Sequence, residues 1–82
     1  MLQKVRFHNV KKHQRVILSK DLPVAQGFGN KFPIKEEIRG DIMSQGFEEG
    51  RLKVRFYSHV GGTENVEFNE LSAANYLLVD KY

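Results

Sequence analysis

Hydrophobic and polar residues alternate most regularly between Arg51 and Leu71. Leu52, Val54 and Phe56 alternate with Arg51, Lys53, Arg55 and Tyr57, and Val66 and Phe68 alternate with Asn65, Glu67 and Asn69. A period of two is that of a strand with one dry and one wet face. Between the runs lies His59-Val60-Gly61-Gly62-Thr63, a turn signal that predicts an antiparallel hairpin. Directly paired residues share a face. A loop of Gly61 and Gly62 alone would set Tyr57 against Val66, wet against dry. A loop of Val60, Gly61 and Gly62 pairs Phe56 with Val66, Val54 with Phe68 and Arg55 with Glu67. It also puts Gly62 where a three-residue loop wants a left-handed residue.

The N-terminal residues Leu2 to Val10 carry the same alternation, with Val5 and Phe7 on one face and Lys4, Arg6 and His8 on the other, and predict a further strand. Lys4-Val5-Arg6-Phe7 recurs as Lys53-Val54-Arg55-Phe56, a match too short to be a repeat but one that turns the same basic chemistry outward twice. After a polar turn over Asn9 to Gln14, Arg15-Val16-Ile17-Leu18 reads as a short strand whose consecutive apolar residues ask for cover on both faces. Val24 to Pro33 is a long loop around Phe28 and Phe32. Of these two rings, Phe32 is expected to close the core, while Phe28 is expected to stand exposed and hold a partner.

Ile34 to Gln45 supports two readings. Pro33, then Glu36 and Glu37, then Ile34, Ile38 and Ile42 at four-residue spacing suit a helix, but Gly40 destabilises its middle by about 1 kcal/mol. The competitor is a strand around Arg39 to Ser44. Beyond Leu71, Ser72-Ala73-Ala74-Asn75 suits one helical turn before a closing strand from Tyr76 to Val79. A longer helix capped by Asn69 and running to Leu78 competes with it.

Taken together, Val16-Ile17-Leu18 with Lys20-Asp21-Leu22-Pro23, the long loop, Ile38-Arg39-Gly40-Asp41-Ile42, Lys53-Val54-Arg55-Phe56, Val66-Glu67-Phe68-Asn69-Glu70-Leu71 and Tyr76-Leu77-Leu78-Val79 resemble an SH3-like small barrel. KOW and Tudor domains and several bacterial single-domain families are of this type. The resemblance covers residues 15 to 80 and favours the strand over the helix at 34–45. It implies a mainly β domain: a five-stranded barrel, an extra strand within residues 1–14, and a short helical turn near 71–75. A helix at 34–45 would instead make an α+β fold. No aromatic set matches a methyl-lysine cage, so the resemblance carries fold and not ligand chemistry.

Composition narrows function further. A chain of 82 residues is expected to form a single domain that buries only roughly 60% of its unfolded surface, which leaves little room for a catalytic cleft. No cysteine is present, so disulfides, thiol nucleophiles and thiolate metal sites are excluded. The start of the chain lacks the apolar run of a signal peptide, and no segment approaches the ~20 apolar residues of a membrane span, so a cytoplasmic protein is expected. His8, His13 and His59 fit no metal-ligand spacing, and no metal or other cofactor is expected. The serines have no local activating partner, and the pairs Glu36-Glu37 and Glu48-Glu49 point to opposite faces if extended; no catalytic residue is assigned and no enzyme is expected.

The net charge of +3 is unevenly spread: residues 1 to 20 carry Lys4, Arg6, Lys11, Lys12, Arg15 and Lys20 with no acid, while 36 to 50 are acidic apart from Arg39. Two functions fit. A nucleic-acid-binding barrel would use Lys4, Arg6, Arg51, Lys53 and Arg55, with Tyr57 as a stacking platform. A protein-interaction module would pair an open edge, the Leu2 to Val10 strand, with another chain, against which the lysines of that strand argue.

Overall fold

The computed structural model describes residues 1–24, 28–58 and 62–80. It is mainly β, with six antiparallel strands and one short helix. The strands are β1 (Leu2–Lys4), β2 (Arg15–Leu18), β3 (Arg39–Ile42), β4 (Arg51–Ser58), β5 (Gly62–Asn69) and β6 (Leu77–Asp80), with α1 (Glu70–Tyr76) before the last. Their order in the sheet is β1-β6-β2-β3-β4-β5. Strands β2 to β5 thus form a meander, and β6 returns to the free side of β2. Helix α1 touches both β1 and the β4–β5 hairpin, so the two ends of the sheet curve toward each other around one core.

Alternation puts that core on the inner face. Val16 and Leu18 of β2, Ile42 of β3, Leu52, Val54 and Phe56 of β4, Val66 and Phe68 of β5, and Leu77 and Val79 of β6 are all buried. Segment 34–45 is the strand and not the helix. Gly40 shows why a glycine stands there, since a Cβ would lie 2.8 Å from the Phe56 ring and from Val54. Gly40 pairs directly with Phe56, and the ring lies across the space that a side chain would take.

Helix α1 falls between the two sequence expectations. Asn69 caps it, its side-chain oxygen accepting the Ser72 N–H at 2.8 Å, yet the helix stops at Tyr76. Leu77 turns extended to pair with Leu18 and enter the core, so helix continuation would forfeit a strand.

Three expectations need correction. The N-terminal strand does not run to Val10; it ends at Lys4. Asn9 folds the chain back there, accepting the Arg6 N–H at 2.8 Å and donating to the Lys4 carbonyl at 2.9 Å. Val5 is buried as expected, but Phe7 is 63% exposed and stacks on Phe47, 6.0 Å away.

The β4–β5 register is shifted by two residues from the expected one. Leu52 faces Phe68, Val54 faces Val66, Phe56 faces Glu64 and Arg55 faces Asn65. The parity survives, and so does every face assignment, because a shift of two preserves both. The shift gives Leu52 an apolar partner and lets both strands pair along eight residues. Glu64, which shares the dry parity of Val66 and Phe68, now faces Phe56 and accepts the Lys31 N–H at 3.0 Å. Gly62 is left-handed, with φ +87°, but it pairs with Ser58 at the start of β5, and the connection itself lies outside the described residues.

The third correction exchanges the roles of the loop phenylalanines. Phe28 is half buried, with its ring 5.6 Å from both Phe68 and Tyr76, where it closes the core beneath α1. Its carbonyl also accepts the Glu67 N–H of β5 at 3.0 Å. Phe32 is half buried but is not among the residues packed on the core.

Candidate functional site

The outer face of the sheet gathers most of the residues singled out for function. Pairing places them in rows, because partners across antiparallel strands share a face. The first row runs from Lys4 on β1 to Leu78, Ile17 and Arg39. The β3–β4 register carries it on to Tyr57, which faces Thr63 on β5. The second row is Arg15, Asp41, Arg55 and Asn65. The third sets Lys53 opposite Glu67, with the Met43 N–H donating to the Lys53 carbonyl at 2.8 Å.

These rows make a basic face that carries an exposed aromatic ring. Tyr57 is 64% exposed, with Arg55 two residues before it on β4 and Arg39 beside it on β3. Ile17 and Leu78, both half buried, form an apolar strip between Arg39 and Lys4. Asp41 pairs with Arg15 at 3.5 Å, and Glu67 reaches diagonally to Arg51 at 3.3 Å. Among the described residues, Lys4, Arg39, Lys53 and Arg55 make no ion pair, so their charge is available to a ligand. The Arg15–Asp41 and Arg51–Glu67 pairs are solvent-exposed and worth about 1 kcal/mol or less each, and a polyanion can compete for them.

From Arg55, two residues before Tyr57, toward Lys53 the face is indented. A groove of about 620 Å³ is lined by Phe28, Met43, Lys53, Arg55, Asn65 and Glu67 among others. Its volume lies in the range of small-ligand sites, roughly 300 to 1,000 Å³. It sets Met43 beside two unpaired cations, Lys53 and Arg55, and the exposed Asn65.

The structure thus brings Lys4, Arg51, Lys53, Arg55 and Tyr57 to one face. Arg6 is not on a strand; it begins the turn held by Asn9. Phe28 borders the groove at the β5 edge, where its carbonyl accepts the Glu67 N–H, while its ring packs into the core and is no exposed anchor. Sequence reasoning missed Arg39 and Asn65. Arg39 is the lone cation of an acidic segment, and only the pairing of β3 with β4 puts it next to Tyr57. Asn65 carried a weak signal: its wet parity was evident, but the expected register set Glu67 opposite Arg55 in its place.

His8 and His13 are exposed, and His59 lies outside the described residues. Among the described residues, no group of three or more histidines and carboxylates is placed to hold a metal ion, and no helix is long and apolar enough to cross a membrane. Comparison with protein-family models, with curated proteins and with solved structures finds no match. The functional reading rests on this face.

Proposed function

We propose that this protein is a small, non-enzymatic nucleic-acid-binding module that acts in the cytoplasm through the outer face of its sheet. One observation carries the reading: Lys4, Arg39, Lys53 and Arg55, without ion-pair partners among the described residues, share one face with the exposed ring of Tyr57. Unpaired cations exchange their counterions for phosphates, and an exposed aromatic ring offers a base a surface on which to stack. The SH3-like reading of the barrel is part of the proposal. It is supported by the succession of β2, long loop, β3, β4 and β5, with α1 immediately before β6.

Edge pairing with a protein chain is the weaker reading. On β1 the Lys4 carbonyl accepts from the Asn9 amide, and on β5 the Glu67 N–H is bonded to the Phe28 carbonyl, so each outer edge has lost a group that an added strand would need. The test is a titration of labelled single-stranded DNA and RNA at two salt concentrations. The logarithm of the affinity is expected to fall linearly with the logarithm of salt, and replacing Lys53 and Arg55 together with Gln should reduce that slope by about one to two. No binding at about 50 mM salt, where non-specific contact is strong, would overturn the proposal.

A further inference from the structure

The groove at Lys53 and Arg55 says more about the ligand than the charge does. A duplex presents phosphates outward while its bases stay paired and stacked, so a purely electrostatic face serves duplex and single strand alike. This face is not purely electrostatic. Tyr57 is exposed, and from Arg55, two residues before it on the same face of β4, the groove places Met43 alongside Lys53, Arg55 and the Asn65 amide. An exposed ring and an apolar Met43 in a polyanion site find no partner on a duplex backbone. An unpaired base supplies both an apolar face for these groups and hydrogen-bonding edges for the amide.

The arrangement of cations agrees. Lys4 and Tyr57 share a row across β1, β6, β2, β3 and β4, and four steps between neighbouring strands span about 19 Å along the sheet. That path crosses the apolar strip of Leu78 and Ile17 before it reaches Arg39. A flexible strand can follow a curved sheet and lay bases on such a strip, whereas a rigid duplex meets a convex surface over a short length only.

We infer that the ligand class is single-stranded nucleic acid, with one base stacked on Tyr57 and its neighbour seated in the groove between Lys53 and Arg55. The inference rests on the nucleic-acid reading above and narrows it. It requires the ring, and not only the charge, to contribute to affinity.

The test compares a short labelled oligothymidylate with a mixed-sequence duplex of the same length, titrated by anisotropy against the wild-type chain and against Tyr57→Leu and Tyr57→Phe. Tyr57 is exposed, so neither variant should alter the thermal unfolding curve, and that curve is recorded as a control. Tyr57→Leu should weaken single-strand binding roughly tenfold, and Tyr57→Phe should restore it, because the stacking surface is what counts. Duplex binding should be weaker from the outset and indifferent to either change. If single strand and duplex bind equally and Tyr57→Leu shifts neither, the single-strand inference falls while the charged-face reading stands. Failure of both ligands to bind at low salt overturns the two together.

Discussion

The same four residues, Lys-Val-Arg-Phe, occur at 4–7 and at 53–56, and they adopt different structures. In β4 the alternation is kept throughout: Val54 and Phe56 are buried, and Lys53 and Arg55 face outward. At the N-terminus only its first half is kept. Val5 is buried, but the strand has already ended at Lys4, and Phe7 lies on the surface against Phe47. The difference comes from neighbours. β4 is paired on both sides, to β3 and β5, so Val54, Arg55 and Phe56 have their faces dictated by two ladders. β1 has only β6, and five residues after its end Asn9 offers the backbone an alternative partner for the Arg6 N–H and the Lys4 carbonyl. A period of two specifies a strand only when enough of the sheet stands beside it to take up the hydrogen bonds.

The largest test of this contrast is to truncate the final phenylalanine of each copy. Phe56→Ala should destabilise by about 3 to 5 kcal/mol, since a fully buried ring is lost. Phe7→Ala should lose about 1 kcal/mol, the scale of one surface aromatic pair. Denaturant midpoints measure both, and equal losses would refute the assigned environments.

Gly40 probes how tightly the β4 copy is held. Gly40→Ala places a methyl group 2.8 Å from the Phe56 ring and Val54 and should destabilise by about 1 to 3 kcal/mol through overpacking. A neutral or stabilising result would mean that the Phe56 ring does not lie across β3.

A smaller effect than at Gly40 should come from Asn9, the residue that sets the N-terminal copy apart. Asn9→Ala removes two side-chain hydrogen bonds at a nearly buried position and should destabilise by about 1 to 2 kcal/mol. Hydrogen exchange should then accelerate at Arg6, whose N–H loses its acceptor, and stay slow along β4. Unchanged protection at Arg6 would show that the turn holds without Asn9.

Part of this architecture was legible in the residues themselves. The alternation from Arg51 to Tyr57 and from Asn65 to Asn69 determined which side chains face the core, because parity is a local property of an extended chain and is unaffected by a slip of two residues. Arg15–Leu18 was evident as a strand, and Asn69 was a helix cap in one of the two readings of the segment after Leu71. The acid-free charge of the first twenty residues marked Lys4.

Tertiary structure decided everything that depends on distant partners. The hairpin register was settled by Leu52 meeting Phe68 and by Glu64 meeting the Lys31 N–H, a contact 33 residues apart. Phe28 was drawn inward by the rings of Phe68 and Tyr76, which no local pattern could announce. The candidate site followed the same rule. Tyr57 and Arg55 were recognisable on one strand, but Arg39, Met43 and Asn65 joined them only through the ladders of β3, β4 and β5. A face period is written in consecutive residues, whereas a groove is made where separate strands come together. The first is fixed by backbone geometry; the second needs the energy of the whole core to choose one pairing among several of equal parity.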